Sequence, residues 1–201
     1  MTNKIVDYKT PFFLFDEWLK KAKADQNIKE PEAMALATID QNNKPSVRMV
    51  LLKKFSEEGF CFFTNLISRK AKELMNNSNA ALCFYWMSLG YQVRIEGQVE
   101  QVLQSEADAY FSSRRRGSQI GAWASRQSQE IENEGEFEER IKKINQDFEG
   151  AEILRPPFWS GFRLRPSIIE FWEEGEFRLH KRTLYKKLEN NNGWKVSILY
   201  P

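Results

Sequence analysis

The chain has 201 residues, with 30 Lys and Arg against 28 Asp and Glu, so its formal net charge is only +2. This length suits one domain with a sizeable core and argues against a second full domain. The near-neutral charge argues against a general nucleic-acid-binding function, and no apolar stretch approaches the roughly 20 residues of a membrane span.

The predicted elements begin with a docking helix. The N-terminal "MTNKIVDYKT" is polar and lacks an apolar signal region, so we expect a cytoplasmic protein. Thr10 and Pro11 are typical of a helix cap and first turn. An apolar stripe at i, i+3, i+4, i+7 spacing follows and predicts a core-facing helix surface; it consists of Phe15, Trp18, Leu19 and Ala22.

Strands are predicted between about Ala33 and Leu103. Short β-rich runs alternate there with turn sequences, and the runs are "AMALATI", "SVRMVLLKKF", "GFCFFT", "AALCFYWM" and "YQVRIEGQVEQVL". Strands at such close spacing predict an antiparallel barrel.

The second half is predicted to contain helices and then more strands. Helical segments are expected near 105–113 and 130–148, the second strongly acidic and typical of a solvated face. After "RPP" at 155–157, strands are predicted in "GFRLRP", "SIIEFW", "EFRLHKR" and "WKVSIL", separated by Pro166, "EEGE" and "ENNNG". The predicted fold is mostly β with attached helices.

Cysteine and histidine usage limits metal chemistry. Cys61 and Cys83 lie among aromatic residues in strand-like runs, so we expect reduced core thiols. His180 is the only histidine, which excludes a histidine-rich site, and Cys/His zinc spacing is lacking. We expect no metal, and the sequence also lacks G-x-G-x-x-G and Walker-type loops.

Two cationic segments of the first half are candidates for anion binding. In "TNLISRKAKELM", Ser68 is a candidate N-cap, and the cations Arg69, Lys70 and Lys72 fall in the first helical turn, where the macrodipole disfavours them unless an anion binds. A solvated helix start is the alternative. In "VRMVLLKK", Arg48 needs a partner if it points inward and is solvated if it does not. Strict alternation puts Lys53 on the opposite face, so either a bulge intervenes or the two residues serve different walls of one site.

Two further cationic segments lie in the second half. In "EFRLHKR", the residues Arg178, His180 and Arg182 are spaced to project from one strand face. They either face an anionic or electron-rich group or belong to a solvated edge strand, and Trp172 is either an apolar wall beside them or core.

The stretch "SRRRGSQIGAWASRQS" at 113–128 combines guanidinium, hydroxyl and amide donors, while Tyr110 precedes Arg114 by one helical turn. Its donors are Arg114, Ser118, Gln127 and Ser128, whereas solvation accounts for Arg115 and Arg116. Together the four segments provide donors for more than one phosphate.

Longer motifs in register resemble the pyridoxamine 5′-phosphate oxidase family from about Glu30 to Pro201. They are "EPEAMALATID", "SVRMVLLK", "FFTNLISRKA", "YQVRIEG", "YFSSRRRGSQIGAWASRQS", "PPFWSGFRLRP" and "IEFWEEGEFRLHKR". The resemblance implies an FMN-binding split β-barrel and a homodimer with FMN at the interface. It implies oxidation of pyridoxine or pyridoxamine 5′-phosphate to pyridoxal 5′-phosphate, with O₂ reduced to H₂O₂. The single domain would span 1–201, with an N-terminal arm and helix at 1–29 and site-completing strands at 160–201.

The resemblance also implies site residues. FMN contacts fall on Arg48, Met49, Val50, Leu51, Leu52, Lys53, Phe63, Thr64, Arg69, Lys70, Gln92, Gln127, Ser128, Trp172 and Arg182. The substrate phosphate falls to Lys53, Tyr110, Arg114 and Ser118, whereas Arg178 and His180 would cover the pyridine ring as the catalytic pair.

Four positions depart from the family pattern: Phe63 stands for a tyrosine, Tyr91 and Ile198 for arginines, and Arg115 for a proline. FMN binding is expected to survive because Phe63 would contribute backbone contacts. Two alternatives remain at this point. Another flavin-dependent split-barrel reductase would keep the flavin contacts without the substrate set, and a basic nucleic-acid-binding module would use the arginine clusters.

Overall fold

The computed structural model describes residues 4–133, 135–189 and 193–201. Strand β1 (Lys4–Val6) leads into helix α1 (Thr10–Ala24), whose stripe Phe15, Trp18, Leu19 and Ala22 is buried as predicted. The prediction of Thr10 as the cap was wrong. The N-cap is Lys9, no side chain caps the helix, and Thr10 already belongs to it.

The strands form one antiparallel sheet that curves into a barrel. The first group is β2 (Ala33–Ile39), β3 (Pro45–Leu51), β4 (Lys54–Ser56), β5 (Gly59–Asn65), β6 (Asn79–Trp86) and β7 (Tyr91–Gln101). The second is β8 (Trp159–Glu173), β9 (Lys181–Lys187) and β10 (Trp194–Leu199). The strand order is β1-β10-β9-β8-β7-β6-β2-β3, and β5 pairs with both β4 and β8. The predicted mostly β fold is confirmed, whereas the single domain stays a prediction.

Strand β8 connects the two parts of the sheet. Its start pairs with β5, its middle and end with β7, and its end also with β9. Pro166 lies inside this 15-residue strand, so the prediction of two strands separated by that proline was wrong. The register shifts between Glu96 and Gly97, opposite the proline. Because a Cβ on Gly97 would lie 2.0 Å from the Arg165 carbonyl oxygen, this bulge requires glycine.

The core is an aromatic cluster between α1 and the barrel. The Phe15 ring lies 4.9 Å from the Phe60 ring and 5.1 Å from the Phe84 ring, both edge to face. Phe62, Phe171 and Trp194 are also fully buried. Such close packing gives the site a rigid support.

Among the described residues four helices follow α1, and three of them were predicted. They are α2 (Arg69–Asn76), α3 (Gln104–Ser112), α4 (Arg116–Ala124) and α5 (Gly135–Asp147). Helix α2 is the one predicted to begin after Ser68, and α3 and α5 occupy the two predicted helical segments. Helix α4 was missed in the arginine-rich stretch, because it carries two glycines and buries only Ile120, Ala122 and Ala124. In the described part of the chain, no helix is long and apolar enough to cross a membrane.

Candidate functional site

A cleft of about 500 Å³ opens between β3, β5 and helices α2 to α4. It brings together many of the predicted flavin and substrate residues, namely Met49, Val50, Leu51, Lys53, Phe63, Thr64, Lys70, Tyr110, Arg114, Ser118 and Gln127. Sequence reasoning missed other lining residues, including Asn65, Ser125, Phe137 and Trp159. Their motifs carried no charge signal that could have singled them out.

A larger groove of about 890 Å³ lies elsewhere, beside the bulge of β7 and β8. Its walls mix the acids Glu96 and Glu100 with Arg165 and Lys187. Arg165 already pairs with Glu100 at 2.7 Å. The smaller cleft is therefore the better candidate for phosphate chemistry.

Lys70 supplies a buried ammonium to the cleft. Ser68 caps α2 as predicted, because its hydroxyl accepts the Ala71 N–H at 3.4 Å. The Lys70 Nζ donates to Gln127 Oε1 at 2.8 Å and to Thr64 Oγ1 at 3.1 Å. These acceptors are neutral, and burial, together with the charge of Arg48, lowers the pKa of Lys70 to about 8. A bound anion would relieve this cost.

Arg114 supplies a second cation, which is half-buried and lies just beyond the C-terminal end of α3. Its Cζ lies 4.8 Å from the centroid of the Trp159 ring, a cation–π contact. Its Nη1 is buried and has no hydrogen-bond partner among the described residues. Burial also lowers the pKa of Arg114. A buried guanidinium nitrogen without an acceptor is suited to an anionic ligand.

Three stacked rings form the wall beside Arg114. The Phe63 ring lies 4.0 Å from the Tyr110 ring and 5.5 Å from the Trp159 ring, nearly parallel to both. A Cβ on Gly161 would lie 2.7 Å from the Phe63 ring, so the glycine makes room for it. Phe63 therefore contributes its ring to the cleft wall, a role that the sequence did not predict.

Arg48 and Arg69 converge on Glu73, outside the cleft lining. Arg69 Nε lies 2.8 Å from Glu73 Oε1, and Arg48 Nη2 lies 3.1 Å from Oε2. Thr38 and Ser46 also donate their hydroxyls to this carboxylate. Burial raises the pKa of Glu73, but the hydrogen bonds from Thr38, Ser46 and Arg69 and the charge of Arg48 outweigh it and lower the value to about 2.

Arg48 was expected to need a partner if its side chain points inward, and Glu73 is that partner. No sequence signal marked it. Strand β3 ends at Leu51 and pairs with β2 without a register shift, so no bulge lies within this strand and its alternation does not extend to Lys53. Leu52 is buried in the core, while Lys53 is exposed at the cleft.

The remaining predicted residues lie around the far end of β8. In the sheet register, Trp172 stands between Gln92 of β7 and Arg182 of β9. The Trp172 ring lies 4.5 Å from the His180 ring. Arg182 Nε pairs with Glu170 Oε1 at 2.8 Å, and Arg94 also pairs with that buried carboxylate.

The "EFRLHKR" segment is not a single strand, so the predicted common strand face of Arg178, His180 and Arg182 was wrong. Glu176–Arg178 form a 3₁₀ turn, and β9 begins only at Lys181. Phe177 and Arg178 are both left-handed, with φ of 54° and 64°. His180 Nδ1 accepts the Gly175 N–H at 3.3 Å, which orients the imidazole beneath an exposed loop.

The two groups of residues lie at opposite ends of β8. Trp159 lines the cleft at its start, and Trp172 stands near its end. A strand of 15 residues is roughly 45 Å long at ~3.3 Å per residue, and less when it coils. One chain therefore does not bring Arg178 and His180 to its own cleft. Ser128 does not line the cleft; it lines one pocket with Arg69 and another with Gln127.

The antiparallel barrel and the cationic cleft define a split-barrel protein suited to phosphate ligands. Comparison with known proteins agrees. Residues 21–147 match the family model described as pyridoxamine 5′-phosphate oxidase. Residues 159–201 match the pyridoxine 5′-phosphate oxidase C-terminal dimerisation region, which supports a homodimer. The chain belongs to the pyridoxamine 5′-phosphate oxidase family, and the resemblance noted in its motifs is confirmed.

Individual relatives cover nearly the whole chain. It is 48% identical over 205 residues to a pyridoxine/pyridoxamine 5′-phosphate oxidase of Brucella canis, with 100% of both chains covered. A Rhizobium etli protein of the same name is 48% identical over 191 residues, covering 95% of this chain and 92% of that protein.

Solved structures share the fold. PhzG from Burkholderia lata, in complex with tetrahydrophenazine-1-carboxylic acid, superimposes with a TM-score of 0.89 at 31% identity over 95% of this chain and 92% of PhzG. A pyridoxamine 5′-phosphate oxidase-related, FMN-binding protein of Nostoc punctiforme has a TM-score of 0.74 at 20% identity over 92% and 96% of the two chains.

Proposed function

We propose that this protein oxidises pyridoxine or pyridoxamine 5′-phosphate to pyridoxal 5′-phosphate, with FMN as its cofactor. The observation that carries the proposal is the presence of two cations in one cleft, the buried Lys70 and the half-buried Arg114. Neither has a carboxylate partner among the described residues. Two phosphates, one on the cofactor and one on the substrate, would satisfy both. The names of the 48%-identical relatives support the same chemistry.

FMN fits the residues around Lys70. This ammonium and the Gln127 amide already converge with the Thr64 hydroxyl, and Arg48 and Arg69 lie behind them on Glu73. We assign the flavin phosphate to this group. When bound, FMN would accept a hydride from the exocyclic carbon of the substrate, and O₂ would be reduced to H₂O₂ in its reoxidation.

The chain's own residues would then bind and orient the substrate. Arg114, Tyr110 and Ser118 line one part of the cleft with Lys53 and would hold the substrate phosphate. Oxidation of the amine substrate also releases ammonia after hydrolysis of the imine. No protein base is assigned, because positioning and charge balance suffice for hydride transfer.

Arg178 and His180 would come from the second subunit. Both lie in the segment that matches the dimerisation region, as do Trp172 and Arg182. The outer face of β3 supports such an assembly, because its apolar side chains Val47, Met49 and Leu51 are exposed in the single chain. We propose a homodimer with one FMN at each of two interface sites. The cytoplasmic location stays a prediction.

The absorption spectrum of the purified protein and its turnover of pyridoxamine 5′-phosphate test this proposal together. We expect flavin absorption, O₂-dependent formation of pyridoxal 5′-phosphate and equimolar H₂O₂. A yellow protein without this turnover would favour the alternative of another flavin-dependent split-barrel reductase. A colourless protein that binds nucleic acid with steep salt dependence would contradict the proposal altogether.

A further inference from the structure

We infer that Arg155 is a positioning residue for the substrate phosphate, because it locks helix α3 against the start of β8. The inference rests on the proposed function, in which Arg114 and Tyr110 hold that phosphate. Arg155 lies in the loop before β8, and its side chain is only 11% exposed. The sequence predicted only a turn for its segment, "RPP" at 155–157.

The Arg155 guanidinium makes three polar contacts. Its Nε donates to Asp108 Oδ1 at 2.6 Å, and its Nη2 donates to Gln104 Oε1. Gln104 and Asp108 are one helical turn apart on α3, so both face the guanidinium from the same side. Its Nη1 donates to the Trp159 carbonyl oxygen at 2.6 Å. The planar fork of arginine can hold the three acceptors together, whereas a lysine ammonium cannot hold that geometry.

The two elements that Arg155 joins, α3 and β8, position Tyr110 and Arg114, the residues proposed to hold the substrate phosphate and called here the phosphate clamp. Helix α3 bears Tyr110 and leads directly into Arg114, whose backbone N–H bonds Phe111 at 3.1 Å. Strand β8 begins with Trp159, whose ring makes the cation–π contact with the Arg114 guanidinium. No carboxylate orients Arg114 among the described residues, so its position depends on these two elements. A displacement of α3 relative to β8 would misplace the clamp, and charged clamps lose binding steeply with displacement.

The test compares ligands with and without phosphate on the FMN-loaded protein. Kd values for pyridoxal 5′-phosphate and for pyridoxal are measured by absorbance titration with Arg155→Met and Arg155→Lys. For Arg155→Met we expect the phosphate ligand's Kd to rise roughly tenfold, with the Kd for pyridoxal and for FMN changed less than about twofold. Arg155→Lys should recover only part of the loss. Arg165→Met is the matched control, since this arginine of β8 pairs with Glu100 away from α3, and it should change none of these constants.

A second variant keeps the test valid if Arg155→Met does not fold. The double variant Gln104→Ala, Asp108→Ala removes the α3 contacts from exposed positions and should weaken pyridoxal 5′-phosphate binding in the same selective way. Unchanged binding in the folded variants, or equal loss for pyridoxal and its phosphate, would overturn the inference. If the unsubstituted protein itself does not prefer the phosphate ligand, the proposed function fails and takes this inference with it.

Discussion

Lys70 links the electrostatics of a single residue to cofactor binding. Its pKa in the unliganded protein is about 8 instead of 10.5, so the ammonium loses its proton as the pH rises through 8. A bound phosphate favours the charged form and raises that pKa again. We therefore expect FMN affinity to fall above pH 8, by at most about tenfold per pH unit. Fluorescence titration between about pH 7 and 9.5 measures it, and Lys70→Arg should flatten the profile. A flat profile for the unsubstituted protein would contradict this assignment.

Replacing Lys70 should separate stability from binding. Its lowered pKa means that the charged form is disfavoured in the fold below pH 8, and this cost decreases as the pH rises from 8 towards 10.5. Lys70→Met removes that cost but also the contacts to Thr64 and Gln127. At pH 7 we expect the melting temperature of the FMN-free protein to be unchanged or higher, and FMN affinity to be at least about tenfold lower. A large drop in melting temperature with unchanged FMN affinity would contradict this expectation.

Arg114 and Arg178 should differ in their kinetic effects. Arg114 would hold the phosphate in both the ground state and the transition state, so Arg114→Ala should mainly raise the KM for pyridoxamine 5′-phosphate. Arg178 would lie over the reacting ring, so Arg178→Ala should lower kcat as well. Both variants should keep FMN. Steady-state kinetics with pyridoxamine 5′-phosphate measure both effects. Loss of FMN from Arg114→Ala would contradict the assignment, and so would full turnover and affinity in Arg178→Ala.

At the scale of the elements, Glu73 ties α2 to β2 and β3. Its folded pKa of about 2 lies below the ordinary glutamate value of 4.5, so its stabilising effect is present above pH 4.5 and is lost as the pH falls towards 2. Glu73→Gln should lower the free energy of unfolding by on the order of 2 kcal/mol at pH 7. Urea unfolding should show this difference shrinking below pH 4.5. A difference that is constant with pH would contradict the assigned role of the carboxylate.

The elements also show which signals the sequence carries. The stripe of α1 and the Ser68 cap could be predicted because they depend on periodicity and on one local hydrogen bond. Helix α4 and the continuous β8 could not, since α4 has a weak apolar stripe and β8 accommodates Pro166 beside a bulge, where its pairing with β7 shifts register. The strand predicted for "EFRLHKR" failed for a related reason, because the left-handed Phe177 and Arg178 turn the chain before β9 begins.

The candidate site was predicted unevenly for the same physical reasons. Cations such as Lys70 and Arg114 are visible as charges in apolar or helical contexts, and the resemblance assigns them ligands. The residues that position these cations could not be predicted from the sequence. Glu73, Trp159 and Arg155 act through contacts between distant segments, which no local pattern encodes.

At the scale of the whole molecule, the exposed face of β3 should lie in the dimer interface. Val47 is 69% exposed in the single chain, and a charge there would be buried without a partner after assembly. We expect Val47→Asp to give monomers with weakened FMN binding, and Val47→Thr to remain dimeric. Sedimentation velocity measures both. A dimeric, FMN-loaded Val47→Asp protein would show that this face is not the interface.

The central claim is that each site joins the cleft of one chain to the Arg178 and His180 loop of the other. Co-expression of Arg114→Ala and Arg178→Ala chains tests it most directly, because a mixed dimer would contain one site with neither substitution. With random pairing, half of the dimers are mixed, so activity at low pyridoxamine 5′-phosphate should recover to about one quarter of the unsubstituted value. Activity no higher than the mean of the two parent variants would contradict a site shared between subunits.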